Sequence, residues 1–232
     1  MVKTKFNPAG VIGGNLLAVL IFLVFVLWAE LAPFSLERSS LEDGPIEYLT
    51  TILFGLAGIC FLLIIKRSPM LKERHELWRY FFLICWALLM FVFLGEEISW
   101  GQRLFEYGTP ESIAAANVQE EFNLHNLSFL EAKKYTMLSL MMLITGVILP
   151  LAALSTKVKR IIQKLAFPVA PLAYMGFFIF SYAFGKYYYF RLDLDASSEV
   201  RELLMAFGMF FFALHGALRP GDVFRRRPTT EE

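Results

Sequence analysis

Six apolar segments, each close to the length that one helix needs to cross a lipid bilayer, dominate the sequence. A membrane-spanning helix takes roughly 20 consecutive, mostly apolar residues, so the chain has room for about six such helices and short connections. Of its 232 residues, 57% are hydrophobic and 19% are charged. We therefore expect an all-α fold, a polytopic membrane helix bundle that forms one integral membrane domain over residues 1–232. The predicted spans cover residues 11–31, 46–65, 79–99, 135–155, 165–185 and 200–218.

Only one connection between these segments is long, and it covers residues 101–134. A loop of this length in a compact protein is usually functional. Apolar residues at helical spacing, Val118, Phe122 and Leu124, predict that it folds back as a short interfacial or re-entrant helix. The loop would then close over one end of the bundle.

Lysine and arginine are distributed unevenly between the two ends of the predicted bundle. The side that holds both termini carries 15 of the 22 lysine and arginine residues. Cytoplasmic loops carry the excess of these residues. This predicts a multi-pass protein of the plasma (inner) membrane with both termini in the cytoplasm and the long loop outside. The outer side or outer helix ends hold 16 of the 21 acidic residues.

Composition also excludes several classes of partner and cofactor. A net charge of +1, without a basic stretch interleaved with aromatic residues, argues against nucleic-acid binding. Cys60 and Cys85 both fall inside predicted spans, where a thiol packs as a small apolar group. We expect the lipid bilayer to be the main partner.

The densest polar stretch, Gly95–Arg103, follows directly on the third apolar segment. A carboxylate at the edge of the hydrocarbon layer loses hydration and needs a metal ion, a basic partner, a proton or a wet cavity. The pattern favours Glu97 facing the bundle with Trp100 and Gly101 on the same helix face, and Glu96 facing the interface. The alternative is an interfacial helix end with solvated carboxylates and a tryptophan membrane anchor.

A second polar stretch, Asn117–Asn126, lies in the long loop. Its Glu121 and His125 are four residues apart, which places them on one face of a helix. That spacing suits a shared metal ion or an imidazole oriented by a carboxylate, although a solvated pair has the same spacing. The predicted binding residues of the two stretches are Glu96, Trp100, Gln102, Asn117, Gln119 and Asn126.

Two more carboxyl groups are expected to reach the same end of the bundle. Glu47 lies at the outer start of the second span and Glu202 at the outer start of the sixth. Both are nearest the apolar interior among their acidic neighbours, and Glu202 is a further predicted binding residue. Acidic residues in the first turn of a helix also favour its dipole, which is the structural alternative.

The stretches GEEISWGQR (Gly95–Arg103) and NVQEEFNLHN (Asn117–Asn126) resemble blocks that recur in a family of bacterial polytopic membrane proteins. The resemblance implies a bacterial inner-membrane protein. No established activity comes with that family, so the function must be argued from the residues.

Three functions are compatible with these residues. The protein is a structural or accessory envelope subunit whose polar loop locks the fold or docks an envelope protein partner. Alternatively, it is a membrane-embedded hydrolase acting on a lipid-like substrate, in which Glu97, Glu121 and His125 hold a divalent metal ion and Glu47 is the general base. In that case Glu97 and Glu47 are the catalytic residues. The third function is a cation or proton conduit with Glu47, Glu97 and Glu202 as protonatable groups.

Overall fold

The computed structural model describes residues 8–67, 80–117, 120, 122–124 and 127–220. Within these residues the regular structure is entirely helical, apart from one isolated antiparallel bridge between Asn117 and Leu127. The predicted all-α class is thus confirmed. The helices are α1 (Pro8–Leu31), α2 (Pro33–Ser39), α3 (Pro45–Arg67), α4 (Phe81–Glu97), α5 (Gln102–Phe105), α6 (Glu111–Ala114), α7 (Ser128–Leu143), α8 (Leu149–Ala152), α9 (Thr156–Leu165), α10 (Met175–Tyr187) and α11 (Leu194–Leu218). A π-helical turn, Ile144–Ile148, joins α7 and α8.

Three of the described helices are long and apolar enough to cross a membrane: Pro8–Leu31, Pro45–Arg67 and Ala196–Leu218. A fourth is added if Thr136–Ala152 and Thr156–Leu165, which are bent by 117° from each other, count as one span. Helices occur in all six predicted regions, but α4 has 17 residues and α10 only 13. Both are shorter than the roughly 20 residues of a complete span.

The helices pack in a defined order around α11. This helix packs against α3 and α10, while α4 packs against α3 and α1 packs against α10. Phenylalanine fills much of the interior, and the fully buried rings are those of Phe54, Phe61, Phe177, Phe178, Phe184 and Phe212. On the outer face of α1, by contrast, Leu16, Leu20 and Leu27 are each more than half exposed. A continuous apolar surface of this kind fits contact with lipid.

The fifth predicted span, residues 165–185, differs from the structure at its start. α9 ends at Leu165, and after a non-helical stretch and a 3-10 turn the next α-helix begins only at Met175. Pro168 and Pro171 lie in that stretch. Proline lacks a backbone N–H and disfavours helical backbone at the residue before it, which accounts for the interruption.

A single asparagine of α1 satisfies the backbone at this break. Asn15 donates from Nδ2 to the carbonyl of Leu172 at 2.9 Å and accepts at Oδ1 from the N–H of Gly176 at 2.8 Å. A Cβ atom on Gly14 would lie 2.4 Å from the carbonyl oxygen of Ala173, so only glycine allows this close approach. Irregular backbone at membrane depth is tolerated where it is buried in protein and hydrogen-bonded, and α1 provides both conditions.

Candidate functional site: buried carboxyl groups beside an apolar cavity

Four glutamates from three helices meet at one end of the bundle. Glu47 lies in the first turn of α3, Glu97 is the last residue of α4, and Glu199 and Glu202 lie near the start of α11. The carboxyl of Glu97 is close enough to interact electrostatically with the other three. The structure thereby brings together three of the sequence-predicted site residues, Glu47, Glu97 and Glu202.

Within this cluster the carboxyl group of Glu97 lies beside that of Glu202. Two carboxyl groups can hydrogen-bond to each other only when one of them is protonated, because carboxylates offer only acceptors. Arg201 lies beside the pair, with its Nη2 at 3.4 Å from Oε1 of Glu202 and 3.0 Å from Oγ of Ser198. The residue is only 7% exposed. The site therefore combines two neighbouring carboxyl groups with a buried positive charge.

Arg201 was not among the predicted site residues, although the sequence carried a signal for it. A charged residue inside an apolar helix is usually paired and functional. Glu202, its direct neighbour in the chain, was predicted to be a binding residue on that reasoning, but Arg201 was not. The structure shows that the two side chains form one unit.

Glu47 has a local structural partner. Its Oε2 accepts a hydrogen bond from the backbone N–H of Asp43 at 2.7 Å, and the side chain is 9% exposed. Asp43 has a positive φ of 57°, so this bond holds a strained turn at the start of α3. The geometry gives Glu47 a capping contact in addition to its place in the carboxyl cluster.

Glu96 has different partners from its neighbour Glu97. Its Oε1 accepts from Nε1 of Trp100 at 2.6 Å, and its Oε2 accepts from the backbone N–H of Leu124 at 2.7 Å. The indole of Trp100 lies over Gly95, where a Cβ atom would come within 3.0 Å of the ring. Glu96 therefore connects the end of α4 to the turn at Trp100 and to the long loop at Leu124.

A tight left-handed turn makes this arrangement possible and corrects one expectation. Trp100 and Gly101 were expected on the helix face of Glu97, but α4 ends at Glu97 and Ser99, Trp100 and Gly101 have φ values of 44°, 54° and 84°. Left-handed backbone costs about 1–2 kcal/mol for each non-glycine residue. Hydrogen bonds to a charged group contribute about 1.5–3 kcal/mol each. The two bonds to Glu96 can thus offset the strain at Ser99 and Trp100.

The loop is held by a second group of amide side chains. Gln102 accepts from the N–H of Phe122 at 2.7 Å, and Asn117 donates to Oδ1 of Asn123 at 2.8 Å. Asn123 in turn donates to Oγ of Ser99 at 3.2 Å. Asn117 and Asn123 are 5% and 3% exposed, so the network is interior. Two of the predicted binding residues, Gln102 and Asn117, thus have structural partners here.

The other loop predictions lie outside the described residues: Gln119, Glu121, His125 and Asn126. Of the interfacial helix predicted for residues 101–134, the described part contains the four-residue helices α5 and α6 and the first residues of α7. Among the residues described, no three His, Cys, Asp or Glu side chains are arranged to hold a metal ion. A metal site at Glu97, Glu121 and His125 stays a prediction.

A cavity of about 400 Å³ lies directly beside the carboxyl pair, between α3, α4, α7 and α11. Glu96, Glu97, Arg201 and Glu202 contribute to its wall, and the rest of the lining is almost entirely apolar. The apolar side chains include Phe54, Leu89, Phe93, Met137, Met141 and Met205. Methionine adapts its shape readily, which suits a pocket for a flexible apolar chain.

Comparisons of the chain with protein-family models, with curated proteins and with solved structures give no significant match.

Because Glu96 and Glu97 have different partners, substitutions at the two positions should affect the loop differently. In Glu96→Gln, one oxygen becomes an NH₂ group, so either the Trp100 indole or the Leu124 N–H loses its acceptor. We expect a destabilisation of the loop by about 1–3 kcal/mol, seen as faster amide hydrogen exchange over residues 99–124.

Glu97→Gln is the comparison variant, because its carboxyl lies beside carboxyl groups of α3 and α11. It should leave exchange in the loop close to that of the wild type. Equal acceleration in both variants would contradict the division of roles.

Proposed function

We propose that the cavity binds the apolar chain of a lipid-like molecule and that the Glu97–Glu202 pair exchanges protons with its polar head group. The observation that carries the proposal is the position of the pair at the polar wall of an otherwise apolar cavity. Ligand sites are typically apolar pockets in which a few placed polar groups fix the orientation. The shape and chemistry of this cavity match a molecule with one apolar and one polar end.

The reaction class that suits the pair is hydrolysis by general acid–base catalysis. The ionised member would accept a proton from a water molecule as the water oxygen bonds to the acyl or phosphoryl centre of the substrate. The protonated member would donate its proton to the leaving oxygen. Arg201, next to Glu202, would stabilise the ionised carboxylate. In this version Glu202, rather than the predicted Glu47, is the partner of Glu97.

The loop network supports a separate, structural contribution from Glu96, Trp100, Gln102 and Asn117. A satisfied polar network can hold a loop without taking part in chemistry. If the cavity proves to bind nothing, the accessory envelope subunit becomes the better account of these residues.

The membrane arrangement that we propose has six crossing helices, both termini in the cytoplasm of a bacterial cell and the carboxyl cluster at the outer face. The support is the position of helices in all six apolar regions, together with the excess of Lys and Arg at the opposite end. The 17 residues of α4 span about 25 Å, close to the roughly 30 Å hydrocarbon core. In this arrangement Glu97, the last residue of α4, would lie near the membrane boundary.

Cysteine labelling tests this orientation. In a Cys60→Ala/Cys85→Ser background, Gly108→Cys in the outer loop should react with a membrane-impermeant maleimide in intact cells, and Thr156→Cys should react only after lysis. The opposite pattern would reverse the topology, and labelling of both positions in intact cells would contradict the span count.

Filling the cavity tests the proposed function. Met141→Trp should reduce the space for a chain, so that the lipid retained by the purified wild type is lost from the variant in native mass spectrometry. Ile148→Trp, at a position that is 54% exposed on the same helical segment, is the control and should keep the lipid. Unchanged lipid retention in a folded Met141→Trp protein would contradict the proposal.

The catalytic part is tested separately with Glu97→Gln. Wild type incubated with bacterial polar lipids should release hydrolysis products detectable by liquid chromatography and mass spectrometry. Glu97→Gln should still bind lipid but release products at least about 100-fold more slowly, the usual contribution of a positioned acid or base. Equal rates would exclude Glu97 from the chemistry.

A further inference from the structure

The helix α9 lies at the end of the bundle remote from the carboxyl cluster. It is amphipathic, with its charged and apolar side chains on different faces. The sequence of α9 is TKVKRIIQKL, and its cations are Lys157, Lys159, Arg160 and Lys164. Its apolar residues are Val158, Ile161, Ile162 and Leu165. These apolar positions recur at three- and four-residue intervals and so form one face, with the cations around the rest of the helix.

The apolar face of α9 is only partly covered by protein. Ile162 packs with Val169 and Ala153, and Val158 packs against the same group. Ile161 and Leu165, one helical turn apart, are 58% and 43% exposed. Since Lys157 and Lys164 lie four and three residues from Ile161, they border one edge of the exposed strip.

The direction of α9 places this strip across the end of the bundle. The helix is bent by 117° from the preceding segment, Thr136–Ala152, and so runs roughly perpendicular to it. Next to α9 in the chain, the ring of Phe167 contacts that of Phe82 at the start of α4, with centroids 4.7 Å apart. Glu97 is at the other end of α4. Four cations in ten residues also make burial of α9 in hydrocarbon costly.

We propose that α9 is an interfacial helix that binds the head groups of anionic phospholipids. Ile161 and Leu165 would enter the boundary of the acyl chains, and the bordering lysines would contact the phosphates above it. Helices with a large amphipathic moment and a basic polar face bind anionic membranes in this way. This contact is independent of the cavity and of any reaction at the carboxyl pair.

Lipid titration with single lysine variants tests the proposal. Binding of dioctanoyl phosphatidylglycerol to the detergent-purified protein is followed by native mass spectrometry. Lys157→Gln and Lys164→Gln should each weaken it about fivefold, the effect of removing one cation near an anionic surface. Lys186→Gln, an exposed lysine at the other end of the bundle, is the matched control. Dioctanoyl phosphatidylcholine should bind equally to all four proteins.

A spin label at Ile161→Cys, in the Cys60→Ala/Cys85→Ser background, measures the depth of α9 independently. In nanodiscs containing phosphatidylglycerol, it should be accessible to oxygen and protected from a water-soluble nickel chelate. Unchanged phosphatidylglycerol binding in both α9 variants, an equal loss in Lys186→Gln, or a label in bulk water would each overturn the proposal.

Discussion

The arrangement of the site depends on the cost of placing carboxyl groups at the boundary of an apolar bundle. A carboxyl there has lost much of its hydration and is stable only with hydrogen-bond donors, a proton or a positive charge nearby. Glu96 accepts hydrogen bonds from Trp100 and from Leu124 of the loop, and the carboxyl of Glu97 lies beside that of Glu202, next to Arg201. The contacts of Glu96 join the loop to the end of α4, and the contact of Glu97 with Glu202 joins α4 to α11.

Glu96 and Glu97 are adjacent in the chain but have different partners. Because α4 stops at Glu97 and the chain turns left-handed through Ser99 and Trp100, Glu96 accepts hydrogen bonds from Trp100 and Leu124, while Glu97 lies beside Glu202; both glutamates line the cavity. A polar network rigidifies a structure when its members are satisfied, and here it does so beside the pair proposed to transfer protons. The same rule operates at the break before α10, where Asn15 supplies the hydrogen bonds that the interrupted helix lacks.

Much of the architecture was predictable because apolar length and charge distribution are direct consequences of the bilayer. The helical class and the approximate positions of the helices followed from the apolar segments alone, whereas only three or four of the described helices are long and apolar enough to cross a membrane. Local geometry was less accessible. The pattern from Glu97 to Gly101 gave no sign of the left-handed turn, since serine and tryptophan rarely adopt it. The proximity of Glu97 to Glu202 required the fold, because it depends on how α4 and α11 meet.

The most direct test of this account is whether Glu97 and Glu202 share a proton, as we propose. Infrared spectroscopy of the purified protein at neutral pH should show the carbonyl stretch of a protonated carboxylic acid, and this band should change in both Glu97→Gln and Glu202→Gln but not in Glu96→Gln. If the wild type lacks the band, or if the band is the same in all three variants, the pair shares no proton and the proposed acid–base site is wrong.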